Sequence, residues 1–199
     1  MPFRYIYIRD GAIFNVKMVR SLSLKNLVEA PVVAEVDIFD FDDTLVKTKS
    51  HIYLTPRDGE FVSLTPGEYA VYEPQPGDTF DFSDFEQVKS PTPISHMLLK
   101  LHYAIRNLGP ANVFILTARG HAEPIRIFLE EMGVSGIDII ALGDSNPQAK
   151  AAIIRDEILS RGVKLVKFFD DSSKNVAAVK ALRYDPEIPN DVRIISVKV

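Results

Sequence analysis

The chain has no cysteine, and none of its apolar runs approaches the length of a membrane span. The first absence rules out a disulfide framework and thiolate chemistry. The second, with an N-terminus that lacks the apolar core of a signal peptide, leads to the expectation of a cytoplasmic protein with no membrane partner. There is no internal repeat and no low-complexity tract. Excess charge is scarce too. A net charge of −4 over 199 residues offers no general attraction to nucleic acid or to an anionic membrane. Histidine occurs only at His51, His96, His102 and His121, without the spacing of a metal-ligand cluster. What remains is an ordinary globular composition, long enough for one full core with a small insertion.

Residues 4–9 are β-rich and aromatic, Asp10-Gly11 is a two-residue turn signal, and residues 12–19 follow as a second strand. This predicts an N-terminal hairpin. Ser23 is positioned to cap a short helix through Leu27 to Ala30. Residues 1–31 therefore form an extension to one α/β domain over 32–199, in which 32–39 reads as a buried strand. Next comes an insertion over 46–91. In it, 51–55 and 60–64 flank Pro56-Arg57-Asp58-Gly59 as a hairpin. Thr65-Pro66-Gly67-Glu68 is a capping box opening a short helix to Tyr72. The acidic loop that follows is expected to be pinned to the core by Phe80, Phe82 and Phe85. Acids outnumber bases from Arg57 to Lys89, so the insertion would not attract a polyanion.

Thr92-Pro93 predicts a helix start, with Ile94, Met97, Leu98, Leu101, Ala104 and Ile105 as its buried face. Strands over 112–116, 137–142, 163–169 and 192–199 then alternate with helices over 123–132, 148–160 and 173–182. Such alternation predicts a Rossmann-like parallel sheet with helices on both faces. Ligands of such sheets bind beyond the carboxyl ends of the strands, where Asp40, Thr117 and Asp170 fall.

Three carboxylates crowd the end of the first core strand, at Asp40, Asp42 and Asp43. Residues two apart on a strand share a face, so Asp40 and Asp42 can project the same way and repel. A divalent cation relieves that repulsion, and oxygen-only ligands favour Mg²⁺. The plain alternative is a solvated acidic turn.

The run Asp40-Phe41-Asp42-Asp43-Thr44-Leu45 resembles the first motif, DxDxT, of the haloacid dehalogenase-like phosphohydrolases. That family carries three further motifs in fixed order, a Thr or Ser, a Lys, and an acidic pair. Thr117 directly after an apolar strand, Lys150, and Asp170-Asp171 with Asn175 beyond them match these in order. Gly143-Asp144-Ser145-Asn146 mimics the last motif, but no lysine lies between Thr117 and Gly143 to precede it. The resemblance covers 32–199 and implies a Mg²⁺-dependent phosphatase working through an aspartyl-phosphate, with the 51–64 hairpin as a flap beside the site.

By the same resemblance Asp40 is the nucleophile. Asp42 is the acid and base, and its backbone carbonyl is a metal ligand. Thr117 and the N–H of Ala118 hold the phosphoryl group, and the N–H groups from Phe41 to Asp43 cradle it. Lys150 holds together the charges of Asp40 and phosphate. Asp40 also binds the metal, Asp171 binds it directly, and Asp170 directly or through water. Arg119 is either a phosphate contact or an exposed surface arginine. Asn175 replaces a common Asp and is positioned to bond Lys150 or a metal-bound water. The thin cap leaves room for a bulky substrate, a phosphorylated small molecule, a phosphoprotein, or a nucleotide or polynucleotide end. Two rivals stay open: a phosphomutase using the same nucleophile, and a binding module on a silent core.

Overall fold

The computed structural model describes residues 6–9, 12–15 and 35–199. The expected helix after Ser23, the start of the first core strand and the turn at Asp10-Gly11 lie outside the described residues. Strands β1 (Ile6–Arg9) and β2 (Ala12–Asn15) pair antiparallel, with Ile8 opposite Ile13. Strand β3 (Glu35–Phe39) enters the core, and the insertion follows. It comprises β4 (Val46–Lys47), β5 (Ile52–Thr55), β6 (Val62–Leu64), α1 (Pro66–Val71), β7 (Thr79–Asp81) and β8 (Thr92–Pro93). The rest alternates: α2 (Ser95–Leu108), β9 (Val113–Thr117), α3 (Glu123–Glu131), β10 (Asp138–Ala141), α4 (Pro147–Arg161), β11 (Leu165–Asp170), α5 (Ser173–Ala181) and β12 (Arg193–Lys198).

Five strands form one parallel sheet in the order β10-β9-β3-β11-β12. The chain winds outward from β3 in one direction, then returns to its other side. The winding reverses between β3 and β11, which opens a crevice at their carboxyl ends. Every residue of β9 is buried, as expected of a strand covered on both faces. One face packs on α2 and α3 through Phe39, Met97, Leu101, Ile125 and Phe128. The other packs on α4 and α5 through Ile38, Phe168, Ile154, Ile158 and Val179. Each such side chain stabilises by about 1.5–3 kcal/mol when fully buried. The helical spacing in α2 works as expected, with Met97, Leu98, Leu101 and Ala104 inside. Gly109 ends it at a φ of 79°, a conformation a side chain would resist.

The insertion corrects two expectations. Thr92-Pro93 does not start α2. It pairs as β8 with β4, Pro93 opposite Val46, and the helix begins only at Ser95. The N–H of Ile94 donates to Leu45 O, so an interstrand bond beyond local reach decides this boundary. Nor do Phe80 and Phe82 reach the core. Thr79–Asp81 joins β5 as a third strand, and these rings pack on Tyr69 and Tyr72 of the insertion's own helix and its end. The capping box forms as read: Thr65 Oγ1 accepts from the Glu68 N–H while Glu68 accepts from the Thr65 N–H. Buried Asp84 knots the insertion, accepting from the His51 N–H, the Tyr53 hydroxyl and Lys89.

One buried acid lies inside the sheet away from the carboxyl ends. Asp37 shares a face with Phe39, and its Oδ1 is buried without a hydrogen-bond partner among the described residues. Burial, opposed by Lys167, pushes its carboxyl up to about 6. Folded Asp37 therefore keeps a proton that the unfolded chain releases between the ordinary value of 3.8 and about 6. Stability falls as pH rises through that window. Asp37→Asn is expected to flatten this part of the profile and to stabilise the protein above pH ~6 by about 2 kcal/mol, allowing for solvent screening. Urea melts of both proteins from pH 4 to 8 check this; parallel profiles would refute it.

Candidate functional site

The site forms because the central strands are parallel and in register. Phe39 of β3 lies opposite Phe169 of β11, so the next residues, Asp40 and Asp170, emerge side by side at the crevice. The Asp40 N–H donates to Phe169 O at 2.9 Å and holds that alignment. Across the other edge of β3, Phe39 lies opposite Ile115. Arg119, two residues past the end of β9, reaches from that edge to Asp42.

Lys150 reaches this point from the first turn of α4. Its Nζ donates to Asp40 Oδ1 at 2.6 Å and to Asp170 Oδ2 at 2.8 Å, and the residue is 3% exposed. A helix's first turn repels a cation, and burial penalises one further. Burial alone would lower the Lys150 pKa, but Asp40 and Asp170 outweigh it and raise it. Burial lifts the Asp40 carboxyl to about 7 against the pull of Lys150, with Asp170 and Asp42 adding to the rise.

Asp170 is fully engaged. Its oxygens accept from Lys150, from the Ser172 N–H and from Asn175 Nδ2, the last at 3.0 Å to each oxygen. Asn175 thus orients Asp170 rather than bonding Lys150. Asp171 is only half-buried. Burial first, then Asp170 and Asp43, push its carboxyl up to about 6. Its N–H donates to the buried hydroxyl of Thr44, which ties the first motif to the last. Asp40, Asp170 and Asp171 each bring one carboxylate oxygen within 4.8 Å of the others.

Asp42 does not join that cluster. It forms a two-pronged ion pair with Arg119, Nε to Oδ2 at 2.7 Å and Nη2 to Oδ1 at 2.8 Å. Arg119 is neither exposed nor free for phosphate. It is 3% exposed, donates also to Phe85 O and Gln87 O, and stacks on Phe41 and Phe85. The third aromatic of the acidic loop therefore does anchor to the site, through this guanidinium. Thr117 is buried at the end of β9, where its hydroxyl oxygen accepts from the Arg119 N–H and keeps its proton to donate elsewhere. The expected cradle is narrower than read. The Asp43 N–H donates to Val46 O at 2.8 Å, leaving the N–H groups of Phe41 and Asp42. Asp43 takes a φ of 55° and is a turn residue, as short acidic side chains tolerate.

Comparison with protein-family models, with curated proteins and with solved structures returns no match. The chemistry of the site rests on its own residues.

The roles of two residues, Thr44 and Arg119, were not legible in the sequence. Thr44 is inside the first motif, but its partner is the Asp171 N–H, far along the chain. Arg119 carries one legible signal: it lies three residues past the expected strand over 112–116, as Asp42 does past the expected strand over 32–39. The look-alike Asp144 accepts from the Asn146 N–H, and Asn146 caps α4, so that segment shapes the turn carrying Lys150. His121 lines a groove of about 610 Å³ between the end of the insertion and α3.

Proposed function

We propose that the protein is a Mg²⁺-dependent phosphomonoester hydrolase of the haloacid dehalogenase-like type, with Asp40 as nucleophile. The observation that carries this is the Lys150 ammonium held between Asp40 and Asp170 at the reversal of the sheet. A buried cation at a helix start, locked on two carboxylates, is costly for stability alone and suits a centre that handles a transferring anion.

The donor set fits the metal. Three carboxylates crowd together with oxygen donors only, and their mutual repulsion helps raise the pKa of Asp40 and Asp171. Asp40 and Asp171 have the freer oxygens and would hold the ion, with Asp170 beside them and the Asp42 carbonyl as the resemblance implies. When bound, Mg²⁺ supplies positive charge against the phosphoryl oxygens.

Asp40 attacks phosphorus, and the bond to the leaving oxygen breaks. That oxygen takes a proton from Asp42, which later accepts one from the water that cleaves the aspartyl-phosphate. Inorganic phosphate departs and Asp40 is restored. The Thr117 hydroxyl, the Ala118 N–H, the N–H groups of Phe41 and Asp42, and Lys150 bind the phosphoryl oxygens. A carboxyl that carries a proton accepts from the two prongs of a guanidinium more weakly than a carboxylate does, so Asp42 loosens from Arg119 to do its work. The β5–β6 hairpin serves as the flap in this reading. A nucleotide or polynucleotide end remains a permitted substrate, although a long strand would meet the acidic insertion.

The test is release of phosphate from an aryl phosphate with and without Mg²⁺. Turnover that needs the metal is expected, together with a rise in melting temperature on adding Mg²⁺ that Asp171→Asn removes. A protein that neither turns over nor shifts would be the silent binding module instead. Transfer of phosphate to an added sugar phosphate in place of water would make it the mutase.

A further inference from the structure

The groove beside the site has a chemistry that the proposed reaction does not use. One wall comes from the end of the insertion through Glu86 and Gln87, the other from α3 and the turn before it. Gln87 O accepts from Arg119 at 2.8 Å, and the Phe128 ring stands edge-on to Phe41 at 5.6 Å. Phe41 lies between Asp40 and Asp42 in the chain, so a lining residue of the groove touches the residue that joins the two carboxylates. Its floor is apolar at Phe128 and at Ile127, which is 52% exposed. Its rim carries Glu86, Glu123 and Glu131, and among the described residues no lysine or arginine lines it. Among the described residues neither Glu86 nor Glu131 pairs with a cation, and Glu123 has only Arg126 at 3.4 Å. Among the described lining residues His121 is the single basic side chain.

We propose that this groove receives the body of the substrate, and that this body is a peptide carrying basic side chains around its phosphorylated residue. The assignment rests on the hydrolase reading above. An apolar floor under a carboxylate rim suits lysine and arginine, whose stems lie on apolar surface while their charged ends meet acids. A groove of about 610 Å³, open to solvent along its length, has room for a few side chains. A polynucleotide brings a negative charge with every nucleotide to the same rim and is repelled. The surrounding insertion, where Arg57 and Lys89 are the only bases from 57 to 89, acts in the same direction.

The experiment compares three fluorescein-labelled probes by anisotropy in EDTA, where turnover is stalled. They are a phosphoserine peptide flanked by lysines, the same peptide flanked by glutamates, and a 3′-phosphorylated oligodeoxynucleotide. The lysine peptide is expected to bind roughly tenfold tighter than the glutamate peptide, the combined effect of three exposed charge pairs. The gap should narrow with salt. The combined variant Glu86→Gln, Glu123→Gln, Glu131→Gln changes exposed groups only, so its melting temperature should hold while the preference disappears. Equal binding of the two peptides, tighter binding of the oligonucleotide, or a preference that survives the triple variant would overturn the assignment. Aryl phosphate hydrolysis by the unaltered protein separates the two readings. A lysine preference without hydrolysis removes the enzyme and keeps the groove; hydrolysis without a preference removes the groove alone.

Discussion

Asp40→Asn is expected to lower phosphate release by at least about 10⁴-fold, the scale on which loss of a covalent nucleophile is felt. The amide keeps the shape of the carboxyl but cannot form the phosphoryl ester. The fold should survive. Lys150 retains Asp170 at 2.8 Å, so no charge is left alone, and one of two repelling buried carboxylates is gone. The circular dichroism spectrum should therefore match that of the parent, and the melting temperature should not fall. Affinity for Mg²⁺ should weaken, since one of three clustered carboxylates is lost. Turnover within tenfold of the parent would remove Asp40 from its role, whatever Asp171 does.

Lys150→Met should act mainly on stability. Methionine fills the volume of the lysine stem, so the change isolates charge. Asp40 and Asp170, both buried, then face each other with no cation between them. Removing one partner of a buried ionic group costs about 3–5 kcal/mol, which for a domain of this size lowers the melting temperature by roughly 10 °C. Two features would mark the cause as electrostatic. The loss should be smaller at pH 5 than at pH 8, because burial raises the Asp40 carboxyl to about 7, and once protonated it no longer repels its neighbour. Added Mg²⁺ should restore part of the melting temperature, since a divalent cation can take over the neutralisation. A uniform loss, insensitive to both pH and metal, would mean that packing rather than charge was removed.

Much of this molecule was legible because the relevant signals are local. The helical spacing of Met97, Leu98, Leu101 and Ala104, the Thr65–Glu68 box, and the stop at Gly109 each depend on neighbours within a turn or two. Asp40, Thr117 and Asp170 could be assigned to strand ends because apolar runs stop where they begin. The boundaries that misled are those set across the chain. Thr92-Pro93 looks like a helix start and becomes a strand because Val46 lies opposite. Thr79–Asp81 looks like a loop and becomes a strand because Thr55, Leu54 and Tyr53 are there to pair with it.

The sequence alone determined the alternation of strands and helices, and hence that the acidic residues end on one rim of a parallel sheet, because periodicity and chain direction are properties of consecutive residues. Tertiary structure alone decided which charges meet. Strand order sets Asp170 beside Asp40, and packing of α4 brings Lys150 between them. The insertion returns over the sheet to enclose Arg119, which takes Asp42 out of the carboxylate cluster from 77 positions away. A charged side chain's partner depends on what folding moves next to it, and no local pattern records that.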